Sequence, residues 1–348
     1  MRTTRANQSH GFALIIVMIA VFVLAVLVGT FAFSMKVEMK LALNANRESD
    51  LIRLGRSGLE RARWVLALQM SCPYDKLTQK WAGQSGGDCD TNGPLADVSL
   101  ENFPVGDGSV TIRITDMERK ININMANEKI LSDALGVVGV DGSEIPGITS
   151  AILDWIDPDE ATRINGAESE YYQTKDSPYY AKNKPMDELQ ELLLVRGVTP
   201  EMYWGSDSTN HSVAPFLRVD RFGRAVQEPR YPVGLAELFT PISSGQINGW
   251  TAPAPVVAVL FGGNQTAAEA FVQLRDAADN NGMRLEDLMR SAGLNNAEIP
   301  TVMRFMTQRS TTFAVEVDAK IGGYQRTFYG LLRRNSPQDV QILDFHWN

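Results

Sequence analysis

The dominant hydrophobic stretch of the chain runs from residue 12 to residue 34, and these 23 residues contain no charge and no proline. At about 1.5 Å of rise per residue, a helix of this length crosses a hydrocarbon core of roughly 30 Å. A cleaved secretory signal has a shorter apolar run, about 7–15 residues, with small residues after it. Here the small residue, Gly11, precedes the run. The pattern therefore predicts a retained transmembrane helix.

Beyond the apolar run the hydrophobic pattern continues, with charged residues now interspersed. Apolar residues persist at mostly three- and four-residue steps, among them Leu51 and Leu54. This period predicts one helix from Phe12 to about Met70 that becomes amphipathic after the membrane. Gly55 and Gly58 each cost roughly 1 kcal/mol in a helix interior, so packing must hold that part of the helix straight.

Four later stretches alternate between apolar and polar residues, which is the period of a half-buried β-strand. They cover residues 108–116, 312–319, 324–334 and 340–347. Gly322-Gly323 predicts a hairpin between the second and third strands, and Ser336-Pro337 predicts a turn into the fourth. If the first strand pairs with this C-terminal hairpin, residues 120–308 become an insertion.

Inside the insertion the pattern becomes helical and repeats weakly. Ile121–Leu135 begins with asparagine caps and continues with apolar spacing, and Ile247–Leu260 repeats its opening and its length. Each is followed by a second segment that runs from an acid through leucines to a glycine turn and another helix, namely Asp187–Tyr203 and Glu286–Met303. The pattern therefore predicts two related helical units.

Composition and charge narrow the function. The 348 residues leave room for two domains, and a hydrophobic content of 44% can supply their cores. The formal net charge of −8 argues against a nucleic-acid surface, which needs a basic face. Before the apolar run lie Arg2 and Arg5 and no acid, so the positive-inside rule predicts that the body faces the periplasm.

The chain has two cysteines, Cys72 and Cys89, which enclose 16 residues rich in glycine and polar types. On the side of the membrane predicted to be oxidising, this arrangement favours a disulfide that closes the loop. In the chain-entropy model such a loop contributes about 3 kcal/mol. Two free thiols are the alternative.

A short basic leader, then Gly11 and Phe12, then an apolar helix resembles the signature of the type IV pilin and pseudopilin superfamily. Within it, the chain is most similar to the K family of type II secretion minor pseudopilins. Most members of the superfamily have a glutamate five residues into the mature chain, whereas this sequence has Ile16. The missing glutamate resembles K-type subunits, which have no subunit ahead of them in the filament. An ordinary signal anchor is the alternative.

The resemblance implies an α+β fold: a pilin-like long N-terminal helix packed on an antiparallel sheet, with a large inserted all-α domain. The implied divisions are a cleaved leader (residues 1–11) and a transmembrane helix (12–34). They are followed by a discontinuous pilin-like domain (35–120 and 306–348) and an inserted domain of two related subdomains (121–305).

The resemblance also implies processing, location and partners. A prepilin peptidase is expected to cut between Gly11 and Phe12, after which the amine of Phe12 is methylated. The protein is expected to be a single-pass protein of the bacterial inner membrane that caps the pseudopilus tip and initiates its assembly for the export of folded proteins. The expected partners are other minor pseudopilins in a tip complex, the major pseudopilin, the peptidase and the inner-membrane secretion platform, with no nucleic acid and no small-molecule substrate.

Residues 151–182 hold seven acids against three bases, an excess of 7 − 3 = 4 negative charges. Hard oxygen ligands at short spacing, joined by Asp-Pro and Asn-Gly turns, suit Ca²⁺, which takes 6–8 oxygens at about 2.3–2.6 Å. Calcium binding is associated with the K family, so the resemblance implies Ca²⁺ here. The candidate ligands are Asp157, Asp159, Glu168 and Glu170, with Asp154 as a shell or cap residue. A solvated acidic loop is the alternative, because the EF-hand pattern is missing.

No enzymatic activity is predicted. The chain has only three histidines and lacks the Gly-x-Ser-x-Gly, His-Glu-x-x-His and phosphate-loop patterns. Two alternatives stay open: a minor pilin of a type IV pilus, and a single-pass periplasmic hydrolase that uses Asp157 and Asp159 as acid and base.

Overall fold

The computed structural model describes residues 10–84, 93–205, 231–277 and 283–347. Its α-helices are α1 (His10–Gln69), α2 (Glu128–Val138), α3 (Ile145–Ile156), α4 (Ser169–Gln173), α5 (Pro200–Trp204), α6 (Leu235–Leu238), α7 (Ala254–Leu260), α8 (Gln265–Asp276), α9 (Leu285–Ser291) and α10 (Ile299–Met303). Its strands are β1 (Phe103–Val105), β2 (Gly108–Asp116), β3 (Ile121–Asn122), β4 (Phe239–Thr240), β5 (Ile247–Asn248), β6 (Met306–Thr307), β7 (Thr312–Ile321), β8 (Tyr324–Ser336) and β9 (Asp339–Trp347). Short 3₁₀ helices cover Lys80–Ala82, Ile123–Met125 and Leu189–Leu194.

Helix α1 is continuous over 60 residues, which confirms the long helix predicted from the hydrophobic period. Its length and composition suffice to cross a membrane. The apolar side chains from Phe12 onward are exposed, and the first buried residue of the helix is Leu51. Just before it, the side-chain oxygen of Asn44 accepts a hydrogen bond from the Tyr324 hydroxyl at 3.0 Å. The apolar part of α1 thus projects from the body, and a fragment starting at residue 36 keeps every buried residue of the described chain.

Glycines let α1 approach the sheet closely. A Cβ on Gly58 would lie 2.4 Å from Cγ1 of Val317, and one on Gly55 would lie 2.5 Å from the ring of Phe328. Leucines of the helix likewise pack against two glycines of the sheet: Leu54 contacts Gly108, and Leu59 contacts Gly330. The residues that weaken the intrinsic helix propensity of α1 are therefore its points of closest contact with the sheet.

The body of the protein is built on one five-stranded sheet with the order β1-β2-β7-β8-β9, and all neighbouring strands are antiparallel. The pairing of β2 with β7 confirms that strands from opposite ends of the sequence meet. Gly322 and Gly323 form the predicted hairpin with φ angles of 54° and 87°, in the left-handed region that glycine adopts readily. Strand β1 was not predicted, because three residues are too few to show an alternating pattern.

The inserted domain leaves the sheet and returns to it at adjacent ends of two paired strands. Asp116 in β2 is the register partner of Phe313 in β7, and the N–H of Met117 donates to the carbonyl of Thr312 at 3.0 Å. The insertion has its own hydrophobic core, separate from the core between α1 and the sheet. The buried residues of its core lie between Ile121 and Met306.

The two helical units open differently from the prediction. The helices predicted to cover Ile121–Leu135 and Ile247–Leu260 both begin as short strands: β3 pairs in parallel with β4, and β5 with β6. Helix α2 starts only at Glu128, where the side chain of Asn127 accepts a hydrogen bond from the backbone at 2.9 Å, and α7 starts only at Ala254. The helical assignment was wrong for the first residues of each segment. Nevertheless, the two openings are equivalent, since both form parallel bridges.

A helical hairpin repeats inside the insertion, at positions other than those expected. Residues 139–146 read Gly-Val-Asp-Gly-Ser-Glu-Ile-Pro, and residues 293–300 read Gly-Leu-Asn-Asn-Ala-Glu-Ile-Pro. Each begins with a left-handed glycine, and in each the glutamate N–H donates to the carbonyl three residues earlier at 2.9 Å. Helices α9 and α10 therefore repeat α2 and α3. The predicted counterpart of Glu286–Met303, which was Asp187–Tyr203, instead contains a 3₁₀ helix and α5.

A buried polar cluster holds the inserted domain on the end of the sheet. Asp75 and Arg334 form an ion pair in which each side chain is 2% exposed. Asp116 accepts hydrogen bonds from the hydroxyl of Ser310 at 2.7 Å and from the amide of Asn248, which belongs to the insertion, at 3.2 Å. Burial raises the pKa of Asp116 to about 7. The cluster joins α1, the sheet and the insertion through groups that water does not reach.

Candidate metal centre

Three carboxylates meet between the end of α3 and the start of α4. Asp154 lies in the last turn of α3, and Asp157 follows it three residues later, so both can face the same side. Glu168 directly precedes α4. One carboxylate oxygen from each of the three residues lies within 4.8 Å of the others. Local helix geometry thus supplies two of the groups, and the loop back to α4 supplies the third.

Asp154 is fully buried and organises the loop around it. Its carboxylate accepts hydrogen bonds from the backbone N–H of Ala167 at 2.9 Å and of Arg163 at 3.2 Å. Nη1 of Arg163 donates to Oδ1 of Asp154 at 2.8 Å and also to Asp157. A Cβ on Gly166 would lie 1.9 Å from Oδ2 of Asp154, so a glycine is required at this position.

Glu168 is the carboxylate of the cluster with the fewest hydrogen-bond partners. It is 2% exposed, and neither of its oxygens has a hydrogen-bond partner among the described residues. Oδ1 of Asp157 is also buried without a partner there. Desolvation, reinforced by the charges of Asp154 and Asp157, raises the pKa of Glu168 to about 7. Because burial of an unpaired carboxylate is unfavourable, these three oxygens are suited to a bound cation.

The donor set matches a hard divalent cation. When all three carboxylates are ionised, as ligation of a cation requires, they and the guanidinium of Arg163 sum to −3 + 1 = −2. All three candidate side chains offer oxygen, which Ca²⁺ prefers, whereas softer or borderline metals select thiolate and imidazole. Asp154, Asp157 and Glu168 could therefore hold Ca²⁺, and carbonyl oxygens or water would complete its coordination.

The structure separates the five predicted ligand candidates into two groups. Asp154, Asp157 and Glu168 converge. Asp159 is exposed, and its Oδ1 accepts a hydrogen bond from a backbone N–H two residues later at 2.8 Å. Glu170 is exposed in the first turn of α4. Neither of the exposed residues belongs to the cluster, although spacing along the sequence made them equal candidates.

Two arginines at the site were not among the predicted residues. Arg163 contacts two of the carboxylates, as described above. Nη1 of Arg196 donates to the carbonyl of Gly166 at 2.9 Å, and its guanidinium lies 4.9 Å from the centre of the Tyr171 ring. The left-handed φ of 63° at Asn165 shows that the predicted Asn-Gly turn is present. Arg163 is the only base among residues 154–170, and this was the signal in the sequence that could have pointed to it.

An aromatic cluster lies beside the acidic loop. Trp155 makes an edge contact with Tyr172 at 5.3 Å, and Tyr172 stacks on Tyr179 at 5.1 Å. Nε1 of Trp155 donates to Glu191 at 3.3 Å. Trp155 belongs to the hydrophobic core of the insertion and is only 3% exposed.

The other predicted site residues lie near the two ends of α1. Gly11 and Phe12 are in its first turn, and the Phe12 side chain is 74% exposed. Cys72 is buried just after the helix, where its Sγ accepts a hydrogen bond from the Gln69 amide at 3.1 Å. Cys89 falls outside the described residues, so the disulfide stays a prediction.

Comparison with known proteins connects these features. A family model described as type II secretion system (T2SS), protein K, matches residues 112–205, a range that includes the three carboxylates. The type II secretion system protein K of Pectobacterium carotovorum is 24% identical over 69% of this chain and 70% of its own length. The protein of the same name from Klebsiella pneumoniae is also 24% identical, over 57% of this chain and 60% of its own length.

The fold is shared with a solved structure. The crystal structure of the GspK-GspI-GspJ complex from the type 2 secretion system of enterotoxigenic Escherichia coli contains a chain that superposes with a TM-score of 0.63. The superposition covers 88% of this chain and 98% of that chain, at 17% identity. It establishes a mixed fold with a long N-terminal helix, an antiparallel sheet and additional helices. Together, the matching family model, the named relatives and the shared fold show that this chain is similar to type II secretion system protein K.

Proposed function

We propose that this protein is a minor pseudopilin that caps the tip of the type II secretion pseudopilus and initiates its assembly for the export of folded proteins. The observation that carries the proposal is the exposed apolar half of α1, which contacts no other part of the body in the described chain. Such a surface needs cover from lipid or from other apolar helices. We propose no catalytic role for the protein.

The two environments of α1 follow one another in assembly. In the bacterial inner membrane, residues 12–34 span the bilayer and place the body in the periplasm, as the leader with Arg2 and Arg5 favours. On extraction by the secretion platform, the same surface packs against helices of neighbouring subunits. Burial of apolar surface contributes about 25 cal/mol per Å² relative to water, but lipid already covers this surface, so the net gain is smaller.

The inserted domain supports a position at the end of the fibre. It occupies residues 117–311 and sits at the end of the sheet where β2 ends and β7 begins. Subunits stacked side by side around the α1 helices leave little lateral space for a second domain of this size. Ile16 fits the same position, because no preceding subunit offers an N-terminal amine to be neutralised.

The proposed partners are other minor pseudopilins in a tip complex, and below them the major pseudopilin. The shared fold with a chain of the GspK-GspI-GspJ complex supports this assignment. Surfaces for such contacts exist on the body as well as on α1. Strand β9 is an edge strand of the sheet and exposes Ile342, Leu343 and Trp347 to between 38% and 46%.

Immunogold labelling of sheared pseudopili tests the tip position. A short epitope after Asn348 is expected to label one end of each fibre, while the same epitope on the major pseudopilin labels the whole shaft. Deletion of the gene is expected to abolish secretion of the system's folded substrates, and the tagged protein to restore it. Label distributed along the shaft would contradict the proposal.

Processing gives a second prediction. Replacing Gly11 with leucine is expected to block cleavage, because the peptidase must accommodate this residue at the cut. Mass spectrometry of the membrane protein should then find the leader retained, whereas the wild type begins at Phe12 and carries one methyl group. Gly29→Leu is the matched control, since nothing lies within 4 Å of a Cβ at that position of the same helix. A leader retained in the wild type and in both variants would identify an uncleaved signal anchor, and normal cleavage of Gly11→Leu would contradict the role of Gly11.

We further propose that the centre formed by Asp154, Asp157 and Glu168 binds Ca²⁺. The buried, unpartnered oxygens of Glu168 and Asp157 support it. A ligand at about 100 times its dissociation constant adds about 2.7 kcal/mol to the stability of the folded state. Calcium is therefore expected to raise the melting temperature of the fragment of residues 36–348, and a chelator to reverse the shift.

The position of Glu170 supplies the control for this prediction. Glu168→Gln is expected to remove the calcium-dependent shift, whereas Glu170→Gln, two residues away and exposed, keeps it. In chelator, Glu168→Gln should melt no lower than the wild type, because it removes a buried charge next to two like charges. A wild-type melting curve that does not respond to Ca²⁺ would refute the calcium site.

A further inference from the structure

We propose that Arg163 is an internal competitor of the bound cation and thereby sets the affinity of the centre. The inference rests on the proposed calcium site and deepens it. Nη1 of Arg163 bonds to both Asp154 and Asp157, which are two of the three carboxylates. A cation that uses the same oxygens has to displace the guanidinium or share their lone pairs with it.

The Arg163 side chain can leave the centre without disturbing the loop that carries it. Two backbone bonds tie the loop to Asp154 independently of this side chain, from the N–H of Arg163 at 3.2 Å and of Ala167 at 2.9 Å. Arg196 holds the same loop through the carbonyl of Gly166. The Arg163 side chain is 41% exposed, so its guanidinium reaches the buried carboxylates from the solvent side and can swing outward.

Glu168, unlike the two aspartates, does not bond to Arg163. Arg163 forms ion pairs with Asp154 and Asp157, whereas both oxygens of Glu168 are without a hydrogen bond in the described chain. A cation is therefore recruited first by Glu168 and Oδ1 of Asp157, and it completes its ligand set only when the guanidinium yields the remaining oxygens. The two aspartates are thus paired with the guanidinium when the cation is absent and with the cation when it is bound, and this competition weakens the binding of metal.

Calorimetric titration of Ca²⁺ into the fragment of residues 36–348 tests the competition. This fragment retains both hydrophobic cores. Replacing Arg163 with glutamine changes the charge of the centre from −2 to −3 and frees two carboxylates. The dissociation constant for Ca²⁺ is expected to fall at least about tenfold, because a unit charge at contact distance is worth more than 1.4 kcal/mol in a partly buried site.

Lys182→Gln is the matched control, since it removes one positive charge from the same acidic segment. Lys182 forms ion pairs with Asp187 and Glu191, both at 2.6 Å, and not with the three carboxylates. Its dissociation constant is expected to stay within about twofold of the wild type, as for a screened charge outside the centre. Arg163→Lys keeps the charge but loses the planar fork, so its affinity should fall between the wild type and Arg163→Gln.

The possible outcomes separate this inference from the calcium proposal. Calcium binding by the wild type with no gain, or a loss, in Arg163→Gln would overturn the competitor role and leave the calcium site standing. If Arg163→Gln fails to fold, the lysine variant decides, because binding weaker than the wild type would overturn the role as well. If no protein binds Ca²⁺, both the site and the competition are refuted.

Discussion

Replacing Gly58 with leucine is expected to lower the free energy of unfolding by at least about 3 kcal/mol, at the upper end of the range for overpacked cores. The first atom added would lie 2.4 Å from Val317 and 2.9 Å from Val110, both of which are buried in the centre of the sheet. Neither neighbour can move away, because each is packed between helix and sheet. The helix would have to lift off, and the leucines on either side would lose their contacts.

Gly136→Leu is the control for this variant. Gly136 lies inside α2, and a Cβ there has nothing within 4 Å. The same substitution is expected to stabilise the protein by roughly 0.5–1 kcal/mol through helix propensity. Denaturant titration of the fragment of residues 36–348 measures both. Equal effects of the two substitutions would show that Gly58 does not mark a close contact.

Replacing Arg334 with methionine is expected to cost about 3–5 kcal/mol, because it leaves the charge of Asp75 buried without its partner. The guanidinium also donates to the carbonyls of Leu66 at 3.2 Å and Ser310 at 2.7 Å, which would lose their donor. Hydrogen exchange should report increased opening at the ends of α1 and β7, where these groups lie. The double variant with Asp75→Asn is expected to recover part of the loss, since it no longer buries an unpaired charge.

The matched control is Arg113→Met, on an exposed face of the same sheet. Arg113 forms ion pairs with Glu316 and Asp318, but its side chain is 57% exposed. Exposed pairs contribute about 0–1 kcal/mol, so this variant should unfold close to the wild-type midpoint. A loss in Arg334→Met as small as that in Arg113→Met would mean that the buried cluster does not hold the inserted domain in place.

The parts of the fold that the sequence predicted are those with a long regular period. Helix α1 and strands β2, β7, β8 and β9 all show many repeats of their pattern, and their bounds agree with the structure to within a few residues. The pattern is ambiguous where an element is short. Strands β3 and β5 contain two residues each, and the parallel pairing that creates them joins residues more than fifty positions apart.

The sequence predicted which segment holds the candidate site, but not which of its residues form the site. An excess of acids located the segment, yet it could not distinguish the buried Glu168 from the exposed Glu170. That difference arises because α4 begins between them and turns one toward Asp154 and the other toward solvent. Likewise, the sequence showed Gly58 only as a weak point of a helix. Its role depends on Val317, which lies far away in the chain and opposite it in space.

The geometry of the insertion has a consequence for engineering. The chain departs from Asp116 and comes back beside it at Phe313, so the two attachment points are separated by a single interstrand spacing of about 5 Å. Any foreign module whose own termini lie equally close could be spliced there without changing the register of the sheet. The inserted domain could thus be exchanged for a fluorescent or enzymatic domain on the same pilin-like scaffold.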